Sequence, residues 1–434
     1  MRRLKEILAK ELDEARSGSL ALIEPLEDDQ LARQHSPLMS PLAWDLAHVA
    51  NFEDLWLVRA LGANAVGAQH DHLYDAFRHR RADRPSLPLL DPSAALRYLA
   101  EVRGRALDAL DAVDLDVADP LLDDGYVYRM VTQHEHQHDE TMLATLQLLE
   151  APGYRPECAV PAPTTMPGSP VGPEEVVVDC GPFVMGTDTD PWAYDNERPA
   201  HVVELRSFAI DVCPTTNSRY LEFVEAGGYG EPRWWSDAGW SWRMTAGLEH
   251  PGTWMRHGPG AWVLDRFGHV IDLPPDEPVQ HVCWYEADAY ARWRGKRLPT
   301  EAEWEKAASW DPATVGKRRY PWGDDPAEAR RANLGPARFG PGPATAIADG
   351  ASPWACRQMA GDVWEWTSSD FRPYPGFRPF PYREYSEVFW GSEYKVLRGG
   401  SWASHPSAAR TTFRNWDYPI RRQIFAGLRC ARDV

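Results

Sequence analysis

The sequence predicts a two-domain α+β protein: a four-helix bundle over residues 1–150, followed by an irregular, loop-rich α+β region from residue 176 to the end. Three observations carry this reading. A chain of 434 residues is too long for one ordinary core. Long helical periodicity is confined to the first 150 residues. Between the two regions lies "APGYRPECAVPAPTTMPGSPVGPEE", Ala151 to Glu175, where Pro and Gly crowd out any periodicity, as in an extended linker.

Taken in order, "MRRLKEILAKELDEARSGS" sets Leu4, Ile7, Leu8 and Leu12 at helical spacing on one face. "SPLAWDLAHVANFEDLWLVRAL" opens with Ser-Pro, a good helix entry, and carries Leu42, Leu46, Val49 and Phe52. "SAALRYLAEVRGRALDALDAV" and "GYVYRMVTQHEHQHDETMLATLQLL" complete four long helical patterns, and their short connections suggest an up-and-down bundle. Beyond the linker come short segments such as "EVVVDCGPFVMG" and "HVVELRSFAIDV", with helical patterns chiefly in "TNSRYLEFVEAG" and "WYEADAYARWRG". Loops of this density usually carry function. No internal repeat is present.

Composition narrows the function. Hydrophobic content of 43% and charged content of 25% describe a soluble globular chain. No 18-residue apolar run is present, and the charged start is unlike a signal peptide, so a cytoplasmic location without membrane contact is expected. A net charge of −18 opposes a nucleic-acid partner, and no protein partner is evident. One local exception is the basic island "FRHRRADR", Phe77 to Arg84, suited to a carboxylate or phosphate. Cys158, Cys180, Cys213, Cys283, Cys356 and Cys430 are scattered singly, so neither a zinc knuckle nor a disulfide framework is expected. A metal here must therefore be held by nitrogen and oxygen.

"QHEHQHDET", Gln133 to Thr141, is the densest candidate for such a site. Met130, Val131, Met142 and Leu146 around it predict a helix, which puts His134 and His138 one turn apart on one face, with His136 about 160° away. The stretch also fits H-E-x-x-H formally, which keeps a zinc peptidase with Glu135 as base in play. His48, in "WDLAHVANFEDLW", is the other candidate ligand, because a bundle core collects side chains from facing helices. Three neutral histidines suit iron, zinc or copper about equally on ligand type alone.

The stretches "SPLAWDLAHVANFEDLW" and "HEHQHDET" resemble the DinB-like iron-binding bundle of the ergothioneine-pathway sulfoxide synthases, the EgtB-like family, whose H-x-x-x-H-x-E hallmark reads His134, His138 and Glu140 here. The later stretches "GPFVMGTD", "PVQHVCWYEADAYARWRGKRLPTEAEWEKAA", "GDVWEWTSS", "LRGGSW" and "RNWDYPIRRQIFAGLRCAR" resemble the formylglycine-generating-enzyme-like fold, a C-type-lectin-related α+β domain. One departure matters. A formylglycine-generating enzyme needs a pair of active-site cysteines before the closing "LRCAR", and the interval from Ser401 to Leu428 contains none. Oxidation of a protein cysteine is therefore not expected, and the domain's expected role is to supply substrate contacts.

The resemblance implies non-haem Fe(II) held by His48, His134 and His138, with O₂ as co-substrate and a site shared by bundle and lectin-like domain. The implied reaction couples the thiol of γ-glutamylcysteine to the imidazole C2 of hercynine (trimethylhistidine) and gives a sulfoxide. Tyr382 is the implied proton donor, with Tyr374 as the alternative. Arg81, Arg84, Asp417 and Arg421 match the positions that bind the thiol donor, and Gln137, Tyr385, Asn415 and Trp416 those that contact hercynine. Glu140 is expected to orient the site rather than ligate. Two rivals stay open on the residues alone: free cysteine as the thiol, and the zinc peptidase. A third, a non-catalytic binding scaffold, remains because both folds can serve as one.

Overall fold

A computed structural model describes residues 2–149, 154, 156, 174–258 and 260–434. The linker expected over 151–175, and Cys158 within it, lie outside the described residues apart from Tyr154, Pro156, Glu174 and Glu175. Packing divides the chain into two units, Met1–Tyr154 and Arg155–Val434.

Four long helices build the first unit: α1 (Arg2–Ile23), α2 (Leu42–Glu53), α3 (Pro92–Ala112) and α4 (Tyr126–Leu146). Helix α3 begins where its sequence dictates: Asp91 accepts a hydrogen bond from the Ala94 amide at 2.7 Å, and Pro92 takes the first helical position. Helix α2 runs on through a wider π-helical turn, Asp54–Arg59. The buried stripe of α1 is Leu8, Leu12, Ala15, Ser19 and Leu22, whereas Ile7, expected on that face, is exposed. At about 100° per residue Ile7 falls to the side of the stripe that starts at Leu8.

Helix α2 is buried on every side, including Asp45, His48, Asn51 and Glu53. Polar groups there must find partners inside the bundle. Glu53 does so in a quartet that takes one side chain from each helix. Arg16 of α1 reaches Glu53 and Glu135, each at 2.7 Å, and Arg103 of α3 reaches Glu53 at 2.6 Å and Glu135 at 2.9 Å. The spare Arg16 Nη1 donates to the Leu99 carbonyl at 2.9 Å. Both carboxylates are fully buried, so each depends on both arginines.

In the second unit, strand Phe208–Asp211 sits between Glu175–Val178 and the C-terminal Ala431–Asp433, antiparallel to both, so the two ends of the unit share one sheet. A second sheet runs Asn415–Asp417, Lys395–Arg398, Trp364–Asp370 and Ala426–Gly427, with only the last pair parallel. Helices form at Asn217–Glu225 and Trp284–Trp293 as expected, and also at Asp237–Ala246 and Glu301–Ser309. The last of these starts at a capping box in which Thr300 and Glu303 bond each other's backbone amides at 3.2 and 2.7 Å. Trp304 from this helix packs with Val178, Phe208, Ile210 and Met359 in the apolar core. Around it, buried arginines are each matched to a buried acid: Arg398 to Glu301 and Glu305, Arg410 to Glu197, Arg414 to Glu301, and Arg429 to Glu365. These pairs brace long loops that lack a ladder of their own. Among the described residues, no helix is long and apolar enough to cross a membrane.

Arg103→Met leaves Glu53 and Glu135 short of a cation and should cost the bundle about 3–5 kcal/mol, read from its urea transition by circular dichroism. Asp362, buried and accepting from the Gly342 amide and Asn333 at 2.7 and 2.8 Å, is pushed by burial from its ordinary 3.8 up to about 7. The folded chain thus holds a proton that the unfolded chain releases, and stability from this group falls as pH rises from about 4 to about 7. Asp362→Asn should remove that loss, so its melting temperature should gain on the parent across this range and level off above it.

Candidate active site

His48 comes from the middle of α2, and His134 and His138 from successive turns of α4. One nitrogen of each lies within 4.8 Å of the others. His48 Nδ1 faces the Tyr74 carbonyl at 2.6 Å. A carbonyl only accepts, so this nitrogen carries the proton and Nε2 keeps its lone pair. His138 Nδ1 is fixed in the same way by the Asp45 carboxylate at 3.0 Å. The Nε2 atoms of His48 and His134 stand 3.2 Å apart, a spacing that calls for a cation or a shared proton between them. Phe52 stacks on the His134 ring at 3.8 Å and Trp44 on His48 at 4.7 Å, which locks both planes. Burial holds His48 and His134 well below the ordinary imidazole range, with His138 adding to the effect, so both are neutral donors at pH 7.

These features fit a metal. Two imidazoles have their outer nitrogens tied to a carbonyl and a carboxylate, the arrangement by which proteins orient metal-binding histidines. Neither Asp45 nor the Tyr74 carbonyl is among the residues expected from sequence. Asp45 was detectable in principle, since it lies three residues before His48 and so on the same side of α2.

The zinc-peptidase reading fails on direction. Glu135 is fully buried among Arg16, Arg103 and Ser19, with no side open to a water nucleophile. His136 is also turned away, 3.5 Å from Asp139, and burial pulls it down to about 4. Gln137 and Glu140 are half-buried on α4, and Glu140 leaves the helix about 200° round from His138.

The basic island reaches the same place. Arg84 lies over the Trp44 ring at 3.4 Å, and Trp44 in turn stacks on His48. Arg84 is buried, donates to Ser40 and to the Ala76 carbonyl, and forms no ion pair with a carboxylate among the described residues. Burial first, and Arg81 second, pull it down to about 10. Arg81 is half-buried at the start of the same Arg81–Ser86 turn.

The second unit gathers the remaining expected residues. Tyr382 and Tyr385 meet edge to face at 6.0 Å, and Tyr385 meets Trp416 at 5.9 Å. Burial raises the Tyr385 hydroxyl well above its usual value, and Tyr194, whose ring lies 4.3 Å away, adds to this. Asn415, Trp416 and Asp417 form the edge strand of the second sheet, with Trp416 stacked on Phe371 at 4.1 Å. Asp417 pairs with the buried Arg421 at 3.1 Å. Tyr374 instead packs in a core with Phe183 and Met185, with Arg414 over its ring at 4.1 Å.

Asp45→Ala removes the group that orients His138. Divalent-metal affinity, titrated with Co(II) as an optical probe, should fall about 10- to 100-fold while the bundle's helical signal is retained.

Both units match known families. The DinB superfamily model matches residues 11–142, and the sulfatase-modifying factor enzyme 1-like domain matches residues 162–434. Hercynine oxygenases of Mycolicibacterium smegmatis and Mycobacterium tuberculosis are 50% and 49% identical, each alignment covering 99% of this chain and 99% of the relative. A formylglycine-generating enzyme of Streptomyces coelicolor is 35% identical over 64% of this chain and 94% of its own. The five described cysteines are all free, three of them buried. With both domain models matched and near-half identity over the full length, the chain belongs to the EgtB-like sulfoxide synthase family and is an oxygen-using oxidoreductase.

Proposed function

We propose that this enzyme joins the thiol of γ-glutamylcysteine to the imidazole C2 of hercynine, with Fe(II) at His48, His134 and His138 and O₂ as oxidant, in ergothioneine biosynthesis. The carrying observation is a largely buried three-histidine site, with no carboxylate ligand among the described residues, beside Arg84, a buried cation that likewise has no carboxylate ion pair among them. The activity in the relatives' name, hercynine oxygenase, supports the choice of substrate. The stoichiometry closes without a further reductant. One thiol hydrogen and one ring hydrogen leave as water, one oxygen atom stays on sulfur, and the four electrons removed by forming the C–S bond and oxidising sulfur reduce O₂.

When bound, Fe(II) supplies the redox chemistry and open coordination positions for an anionic sulfur and O₂. The protein sets the terms. Three neutral donors leave the metal's charge uncompensated, which favours a thiolate. Arg84 and Arg81 offer carboxylate-binding forks at the His48 side. Asp417 and Arg421 present opposite charges together, suited to the zwitterionic end of the γ-glutamyl group. Gln137, Asn415, Trp416 and Tyr385 contact hercynine, where aromatic faces suit the trimethylammonium. Tyr382 delivers the proton that favours C–S bond formation over plain thiol oxidation. Glu140 supports the histidine helix without ligating.

Free cysteine as thiol donor is the competing reading, and Arg421 separates the two. Arg421→Ala should abolish use of the dipeptide but spare any cysteine reaction. Mass spectrometry of an assay containing Fe(II), O₂, hercynine and either thiol tests the whole proposal. A conjugate sixteen mass units above the thioether is expected with γ-glutamylcysteine. Zinc in the purified protein with no thiol-dependent O₂ uptake would sink it. Tyr382→Phe should lower sulfoxide formation by about 100-fold or more and leave sulfinic acid as the main product.

A further inference from the structure

Tyr382 and Tyr385 ride on the segment Phe380–Ser386, whose regular structure is a single 3-10 turn, Arg383–Tyr385. Such a segment has little internal bonding to hold a side chain to the tolerance that proton transfer requires. Its two ends are gripped by one buried side chain. Asp195 Oδ1 accepts from the Ser386 hydroxyl at 2.5 Å, and Asp195 Oδ2 accepts from the Phe380 amide at 3.2 Å. Asn196 Nδ2 adds a bond to the Ser386 oxygen at 3.3 Å, and the Tyr194 ring lies against Tyr385 at 4.3 Å. Asp195 and Ser386 are both buried.

The grip is anchored on its other side. Glu197, in the same turn as Asp195, takes Arg410 Nε at 2.8 Å and the Thr412 hydroxyl at 2.6 Å, while the Asn196 carbonyl accepts from Arg414 Nη1 at 2.8 Å. The turn is thus bolted to the buried arginine framework. Asp195 itself has no cation paired with it among the described residues, and burial raises it from the ordinary 3.8 to about 6. A buried carboxylate in this setting is costly, and what it uniquely supplies is two acceptor oxygens in one plane, bridging two points six residues apart.

We propose that Asp195 is a positioning residue whose two carboxylate oxygens clamp the Phe380–Ser386 loop and so aim Tyr382. The consequence for catalysis rests on the reading of Tyr382 as proton donor; the clamp itself does not. The test uses the full-length iron-loaded enzyme and two readouts, the ratio of sulfoxide conjugate to sulfinic acid and amide exchange in peptides spanning 380–386. Asp195→Ala should speed exchange in that loop, leave the Trp364–Asp370 strand unchanged, and lower the product ratio about tenfold or more. Asp195→Asn, which keeps one acceptor, should fall between it and the parent. Ser386→Ala releases one end only and should move both readouts the same way, which covers the case in which Asp195→Ala fails to fold. Unchanged loop exchange in the Asp195 and Ser386 variants overturns the clamp. Faster exchange with the parental product ratio overturns its role in positioning. A parental ratio in Tyr382→Phe overturns the proton-donor reading alone, and loop exchange then judges the clamp.

Discussion

The interaction on which the bundle depends is the quartet of Arg16, Glu53, Arg103 and Glu135. It takes one residue from each of the four helices, and each acid contacts both arginines. Apolar packing tolerates small slides of one helix along another, but a buried four-way charge contact does not, because a displacement of one residue strands a desolvated ion. Glu53 lies five residues beyond His48, and Glu135 directly follows His134. The same contact that sets the register of α2 against α4 therefore sets the height at which the imidazoles meet. A metal site built from two helices needs that register held to a fraction of a turn.

Orientation is a separate matter, settled more locally. The Tyr74 carbonyl and the Asp45 carboxylate choose the tautomers of His48 and His138, and the stacked Trp44 and Phe52 hold the ring planes. Arg84 lies over the same Trp44 ring. One indole thus couples the basic island to the histidine site. An arginine so placed raises the local positive potential, which works against protonation of His48 and in favour of an anionic ligand.

Much of this was legible in the sequence, and the limits are physical. The four long helices, the histidine triad and the chain order of motifs follow from periodicity, spacing and resemblance. The helix at Glu301–Ser309 was legible too, since Thr300 and Glu303 form a capping box, but its nine residues carry too short an apolar pattern to stand out. Asp45 had a signal in its spacing from His48. Tyr74 had none, because its contribution is a backbone carbonyl that any residue carries. The grip of Asp195 on Ser386 spans 191 positions in sequence, and no local pattern reports a contact of that range. The buried arginines of the second unit were equally hidden. In a one-dimensional reading an arginine is a surface residue until its acid is found, and here the acids sit far off in sequence, on a helix, a turn and a strand.

"HEHQH" shows why a motif must be read with its direction. In the peptidase reading, Glu135 would have to face the same solvent-filled space as His134 and His138. On α4 it follows His134 by one residue, about 100° round the helix, and in this bundle that direction points at Arg16 and Arg103 rather than at a cleft. Two guanidiniums hold its carboxylate below the ordinary range despite full burial, so it stays ionised, and its lone pairs are spent on the quartet and Ser19. A general base needs the reverse, a free lone pair and room for a water. The same five letters can thus describe a hydrolytic centre or a helix clamp flanked by two converging histidines. The side of the helix on which the arginines stand decides between them.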